Sequence, residues 1–401
     1  MRQAVLDRLQ PSEANSRLPS ELRSSANDTE IRGDDHAFLR LKERAATIPM
    51  RTLHSADLFC GGGGLTLGAE EAAASLGIQL EPVFAADMDG DAANCFEANF
   101  PTALVERRDL TEIFDIEVEG ARLNSAEANL RRRLGGLQLL LGGPPCQGHS
   151  DLNNFSRRDD PKNKLYLVMS RAARVLRPEF VLIENVPGVA HDRGRAFQQA
   201  IAELEHLGYS VTFGIADGLR LGLPQSRKRM VVIAARKRSI DVSSVERAYA
   251  VANERSVRWA IQDLEHLHGT GLVDQHANTS PANRERVKYL FDHDLWDLPN
   301  EQRPPCHRNG GHSYKSVYGR LRYDLPSQTI TSGFYSVCMG RYVHPTQQRS
   351  LTAHEAARLQ FFPDYFDFTP AGKRTAMARV IGNAVPPKLS FPFVREMLRD
   401  Q

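Results

Sequence analysis

Cysteine is sparse in this chain: Cys60, Cys95, Cys146, Cys306 and Cys338 are five among 401 residues, odd in number and without a CxxC pair. That argues against a disulfide framework and against a four-cysteine zinc site. Long apolar runs are missing too, and none could span a bilayer. The opening "MRQAVLDRLQPSEANSRLPSELRSS" lacks the apolar stretch and small-residue cleavage site of a secretory signal. A cytoplasmic protein without a membrane span is expected. Charge of one sign is not in excess either. A formal net charge of +2 leaves any nucleic-acid contact to local basic patches, and "RKRM" with "AARKR", between Arg227 and Arg238, offers one.

What is present is enough chain for more than one hydrophobic core. Residues 1–50 are polar until "HAFLRLKERAATI", which has the pattern of a short amphipathic helix, and they read as a partly disordered or helical arm. From Arg51 to Lys237, short apolar runs ("TLHSADLF", "EPVFAAD", "LQLLLGG", "FVLIENV", "VTFGIA", "RMVVIAA") alternate with helical stretches. Such alternation predicts an α/β fold, a doubly wound, mostly parallel sheet covered on both faces. Past residue 237 the alternation stops, and an irregular stretch rich in His, Asn and Arg predicts a second, smaller domain over 238–370. Within it, "SLTAHEAARLQFFP" reads as a capped helix stopped by proline. The end, 371–401, contains "IGNAVPPKLSFPFVREML", read as a loop and a final helix.

"DLFCGGGGLTLGAE", Asp57 to Glu70, sets glycines between a strand and a helix. Glycine allows positive φ and lets a ligand approach the backbone, although a strand-to-helix turn can be glycine-rich merely to pack. The spacing is neither GxGxxG nor a phosphate-binding loop with GK[ST]. Downstream, Asp87 in "ADMD" stands where a strand end can offer acceptors to ribose hydroxyls, and Asp109 in "RRDL" stands at the tip of an expected third strand. Both could instead simply start turns.

"LLLGGPPCQGHS" holds Cys146 on a stiff prolyl turn behind an apolar strand. A nucleophilic thiol needs access, rigidity and help to ionise, and such a turn is a poor burial site. "LIENV" puts Glu184 at a strand end, either as a helix N-cap or as a catalytic acid. "LPQSRKRM" brings Gln225, Arg227 and Arg229, whose alternate spacing shares one face of a strand. Two arginines so placed can grip a carbonyl and a phosphate, or can be surface residues.

Taken in order, "DLFCGGGG", "GGPPCQGHS", "ENV", "QSRKR", "LTAHEAARLQFFP" and "IGNAVPP" resemble the motifs of the DNA (cytosine-5)-methyltransferases, of the bacterial restriction-modification kind, across residues 52–398. The resemblance implies a Rossmann-like methyltransferase sheet with an irregular target-recognition domain, and S-adenosyl-L-methionine as donor with S-adenosyl-L-homocysteine as product. It assigns the attack on cytosine C6 to Cys146, contact with N3 to Glu184, the O2 carbonyl to Arg229, and support of the nucleophile loop and a backbone phosphate to Arg227. It implies that Phe59, Gly61, Gly63 and Gly64 border the cofactor, Asp87 meets its ribose, Met88, Asp109 and Leu110 border the adenine, and Asn383 with Val385 returns from the chain's end. One departure is His149, where the family commonly has Phe.

The target atom is hidden in a duplex, so the resemblance also implies double-stranded DNA as partner and extrusion of the cytosine into a cleft. The segment 238–340 would read sequence, in a monomer acting with a cognate restriction endonuclease or other defence proteins. "CHRNGGH", Cys306 to His312, has too few soft ligands nearby for zinc, and no metal is expected. An RNA cytosine-5 methyltransferase is the alternative, but the "CFT" tripeptide of the tRNA-acting branch is missing.

Overall fold

The computed structural model describes residues 29–44, 49–116, 122–145, 164–191, 195–267, 269–308 and 316–400. In chain order, a short arm helix α1 (Asp35–Leu39) precedes β1 (Arg51–Leu58), α2 (Gly64–Ala74), β2 (Ile78–Ala86), α3 (Gly90–Asn99) and β3 (Leu104–Glu106). Then come α4 (Ser125–Arg133), β4 (Leu139–Gly142), α5 (Tyr166–Leu176), β5 (Phe180–Asn185), α6 (Ala196–His206), β6 (Ser210–Asp217) and β7 (Lys228–Ala235). The strands form one seven-stranded sheet in the order β3-β2-β1-β4-β5-β7-β6. Neighbours from β3 through β5 are parallel, while β7 runs antiparallel to both β5 and β6.

The sheet is apolar on both faces because helices cover both. β4 and β5 are buried at every position, as expected of strands without a solvent face. On one face Ala56, Leu58, Leu140 and Ile183 pack with α5 and α6 through Met169, Ala172, Phe197 and Ile201. On the other, Leu139, Leu141 and Leu182 pack with α2 and the terminal helix α12 (Pro387–Leu398), through Leu65, Ala69, Phe391 and Val394. The doubly wound α/β expectation is met.

Beyond the sheet lie α7 (Val242–Ala248), α8 (Val257–Ile261), α9 (Pro281–Asp292), α10 (Ala353–Leu359) and α11 (Arg374–Asn383), then α12. Ile240, Val242, Val245 and Tyr249, which follow the last strand, are buried in the same cluster as α12. The segment from α9 to Val343 has a small cluster of its own: Val287, Leu290, Leu298, Val317, Tyr318, Val337 and Val343. "IGN" forms the last turn of α11 instead of the expected loop; the break comes at Ala384, just before Pro386 and Pro387.

The arm from Thr29 onward is tied down. Ile31, Phe38 and Leu39 are buried in the α2/α12 cluster. Asp35, fully buried, pairs with Lys388 at 2.6 Å and Arg255 at 2.5 Å, and Arg32 pairs with Glu71 at 2.7 Å. No helix among the described residues is long and apolar enough to cross a membrane.

Candidate active site

Strand direction gathers the motifs. In an open α/β sheet, ligands sit outside the carboxyl ends of the strands, where the strand order reverses, here between β1 and β4. The glycine loop leaves β1 there, Asp87 follows β2, the prolyl turn follows β4, and Glu184 is the last residue but one of β5. Because β7 is reversed, its first residues, not its last, lie on that rim. Glu184 pairs with Val231 and Asn185 with Met230, so Arg229 stands one step past the end of β5.

The glycine loop turns sharply. Phe59, Gly61 and Gly63 all have positive φ, at 57°, 53° and 96°. At Gly63 a Cβ would lie 2.4 Å from the Phe100 ring, so only glycine is accommodated. At Gly64 it would lie 2.0 Å from the Val385 carbonyl oxygen, which seats the chain's end directly on the start of α2. A Cβ at Gly61 would meet nothing within 4 Å, so the backbone is open there, as a cradle for a ligand needs. The Gly61 N–H donates to Asp87 Oδ2 at 2.8 Å, and the Asp89 N–H donates to Asp87 Oδ1 at 2.8 Å. Burial pushes the Asp87 carboxyl above its ordinary range, while these amide donors oppose that. Met88 is 72% exposed beside it, an apolar side chain free to lie against a flat ligand.

Asp109 lies three residues past β3 rather than at its tip, where it caps a single helical turn by accepting from the Thr111 N–H at 2.9 Å. Leu110 is buried. Asn383 is exposed at the end of α11, and the Val385 side chain approaches Gly143 of the prolyl turn. These residues fit a nucleoside-bearing cofactor: an open glycine backbone, a carboxylate with spare lone pairs and an exposed thioether on one rim.

Cys146 and His149 lie outside the described residues. The turn leading to Cys146 is described as far as Pro145. Asn185, within "ENV", holds it by donating from Nδ2 to the Pro144 carbonyl at 3.1 Å. A Cβ on Gly143 would sit 3.9 Å from Glu184 Oε2, so the carboxylate lies over the same turn. Arg229 Nε approaches Glu184 Oε1 at 2.8 Å, a charge contact without hydrogen-bond alignment.

Arg227 behaves differently. It is 4% exposed, and its guanidinium donates to the carbonyls of Ala384 at 2.9 Å and Ile330 at 3.5 Å. Burial and the neighbouring Arg229 hold its pKa below the usual arginine range, with Glu184 opposing them. The structure thus brings Glu184, Arg229 and the prolyl turn together, and sets Arg227 behind them as a joint between β7 and the chain's end.

Two site features go beyond the motifs. Asn185 follows the strand-end carboxylate Glu184, and an amide in that position is the signal the sequence offers. Asp57 on β1 is buried, accepts from Thr66 Oγ1 at 2.7 Å, and leaves Oδ1 without a partner. Burial raises its carboxyl to about 7. Among the described residues, no group of three His, Cys, Asp or Glu is arranged to hold a metal.

Comparison with known proteins agrees with this arrangement. The model of the C-5 cytosine-specific DNA methylase family matches residues 53–399. The chain is 40% identical over 366 residues to the type II methyltransferase M1.BsuMI of Bacillus subtilis (strain 168), covering 91% of this chain and 85% of that one. It is 33% identical to the type II methylase M.HgiDII of Herpetosiphon aurantiacus, covering 86% and 94%. Among solved structures, the S. pombe Dnmt2 methyltransferase superimposes with a TM-score of 0.61 at 18% identity over 87% of this chain and 99% of that one, a likeness of fold. With its motifs on one rim of a doubly wound sheet and the family model spanning nearly all of it, the chain belongs to the C-5 cytosine-specific DNA methylases, the DNA (cytosine-5)-methyltransferases.

Proposed function

We propose that this protein transfers a methyl group from S-adenosylmethionine to C5 of a cytosine flipped out of a specific duplex sequence, through a covalent bond between Cys146 and C6. The observation that supports it most is the convergence of Glu184, Arg229 and the Asn185-held prolyl turn, two residues before Cys146 at Pro144, beside the open glycine loop.

Carbon C5 of cytosine is a poor nucleophile within an intact aromatic ring. Addition of the Cys146 thiolate to C6 turns the C5–C6 unit into an enamine, whose C5 can accept a methyl group. Glu184, as a carboxylic acid, gives its proton to N3 and so neutralises the negative charge that develops there as the thiolate adds, and Arg229, oriented by Glu184, holds the O2 carbonyl. Loss of the C5 proton to solvent, return of the N3 proton to Glu184 and expulsion of Cys146 as the thiolate then restore the ring. The bound donor supplies an electrophilic methyl group. The chain's residues hold it: the loop from Phe59 to Gly64, Asp87 at the ribose, Met88, Asp109 and Leu110 around the adenine, and Asn383 with Val385 from the far end. Arg227, buried on two carbonyls, suits support of the turn and the lobe junction better than contact with a phosphate.

The cleft partner for DNA lies between β7 and α10, and the small cluster from α9 to Val343 supports a reading unit there. The type II names of both bacterial relatives favour a restriction-modification setting, with a cognate endonuclease as the companion activity. The chemistry is tested with duplex DNA in which 5-fluorocytosine replaces cytosine. After methyl transfer the fluorine cannot leave as the proton does, so the adduct persists. A donor-dependent complex that survives denaturing gels, and is lost in Cys146→Ser, is expected. Its absence from the wild-type protein would remove the covalent mechanism.

A further inference from the structure

Behind Arg227, two glutamines have no exposed surface: Gln225, two residues before it, and Gln360, just after α10. We propose that they form an amide relay that positions Arg227 and the end of the reading segment, and so couples sequence reading to methyl transfer. The inference rests on the reading of 238–340 as the part that contacts DNA.

The chain of contacts is directional. Gln225 Nε2 donates to Gln360 Oε1 at 2.7 Å and to the Leu359 carbonyl at 2.7 Å. Gln225 Oε1 accepts from the Ile330 N–H at 3.1 Å. Gln360 Nε2 donates to the Ile381 carbonyl at 2.7 Å. Neither amide can be turned over, because either flip would set carbonyl against carbonyl or donor against donor.

Four motifs meet at these two side chains. Ile330 is held from both sides, its N–H by Gln225 and its carbonyl by Arg227. The strip that follows is pinned against α11: a Cβ on Gly382 would lie 2.1 Å from the Ser332 amide nitrogen. Ser327 is paired alongside, its N–H donating to the Pro224 carbonyl at 2.9 Å and its own carbonyl accepting from the Ser226 N–H at 2.8 Å. The other end of the relay, Ile381, precedes Asn383 and Val385 at the cofactor rim by two and four positions. The relay thus touches the strand bearing the catalytic arginine, the exit of the reading segment, the capped helix and the turn beside the cofactor.

Geometry is what the residue types add. Two methionines would fill similar volume, but they would take a partner from the Ile330 N–H and from the Leu359 and Ile381 carbonyls, so the swap costs stability as well. What an amide pair adds is one permitted register. A shift of this joint would move Arg227, and through it the Glu184–Arg229 pair, relative to a cytosine presented by the reading segment.

Gln225→Met/Gln360→Met is compared with wild type for melting temperature, cofactor affinity, single-turnover methylation and methylation of a randomised duplex library. A folded variant with cofactor affinity near wild type, a methylation rate about ten- to a hundred-fold lower and relaxed sequence preference is expected. Wild-type rate and preference in the folded variant would overturn the relay.

Gln360→Glu keeps the test decisive if the double variant does not fold. Protonated, the carboxyl retains a donor for the Ile381 carbonyl; ionised, it turns a lone pair on it. Its activity relative to wild type should therefore fall as pH rises, and a flat ratio would count against the relay. A wild-type protein that methylates nothing sinks the function itself, whereas an active wild type with indifferent variants sinks only the relay.

Discussion

Glu184 and Arg229 form the part of the site where one atom matters most. Replacing Glu184 by Gln keeps the shape but removes both the charge that answers Arg229 and the proton that the proposed mechanism delivers to N3. Methyl transfer should drop about 100-fold or more, while affinity for duplex DNA, measured by fluorescence anisotropy, stays within a few-fold. Asp57 gives a different test. Its folded-state carboxyl is raised to about 7 by burial, well above the unfolded value of roughly 4. Between those values the folded chain keeps a proton that the unfolded chain has released, so stability is fullest below pH 4 and falls as pH rises to 7. Asp57→Asn should remove that loss. Its melting temperature should exceed wild type by a margin that widens from pH 4 to 7, on the order of a few kcal/mol in stability at the top; a margin constant with pH would contradict this. Backbone geometry was legible where glycines cluster after a strand, as in the loop after Phe59, where Gly61 and Gly63 take positive φ. Arg227 and Asp57 were not legible in this way, because burial and the carbonyls of Ala384 and Ile330 come from distant parts of the chain.

Among elements, α1 was legible only in part. "HAFLRLKERAATI" offered a short amphipathic helix, but the burial of Asp35 against Lys388 and Arg255 depends on distant parts of the chain. Asp35→Ala takes the paired carboxylate from buried Lys388, while Arg255 keeps Glu30, and should cost about 3–5 kcal/mol, read from denaturant unfolding. A loss below 1 kcal/mol would show that water reaches the pair. Helix α10 was legible because its cap is local: Thr352 and Glu355 form a reciprocal capping box. Its histidine was not. Burial lowers the His354 pKa, but hydrogen bonds to Asp364 and Asp274, at 2.9 and 2.8 Å, outweigh it and raise the value. A raised folded pKa stabilises fully below about 6.5 and is lost as pH climbs through the folded value. His354→Gln should thus destabilise at pH 6 and matter less at pH 9, seen in paired melting curves.

At the scale of the molecule, alternation of buried strands and helices disclosed the doubly wound sheet, since near-continuous apolar runs fit strands covered on both sides. Apolar periodicity carries no strand direction, so it did not disclose the reversal of β7 that swings Arg229 onto the rim. The segment proposed to read sequence was legible only as a break in the pattern. Its small cluster draws on Val287, Leu298, Tyr318 and Val343, residues spread over some fifty positions without a period. With a net charge of only +2, attraction to DNA must come from local patches. Log affinity should still fall linearly with log salt, by about 0.9 for each phosphate contacted. The most direct measurement is base-resolution deamination sequencing of a diverse duplex library incubated with purified protein and S-adenosylmethionine, beside Cys146→Ser. Protected cytosines confined to one short context, and absent from the Cys146→Ser sample, are expected. Protection that persists in Cys146→Ser, or no protection on any duplex, would contradict covalent cytosine-5 methylation of DNA by this protein.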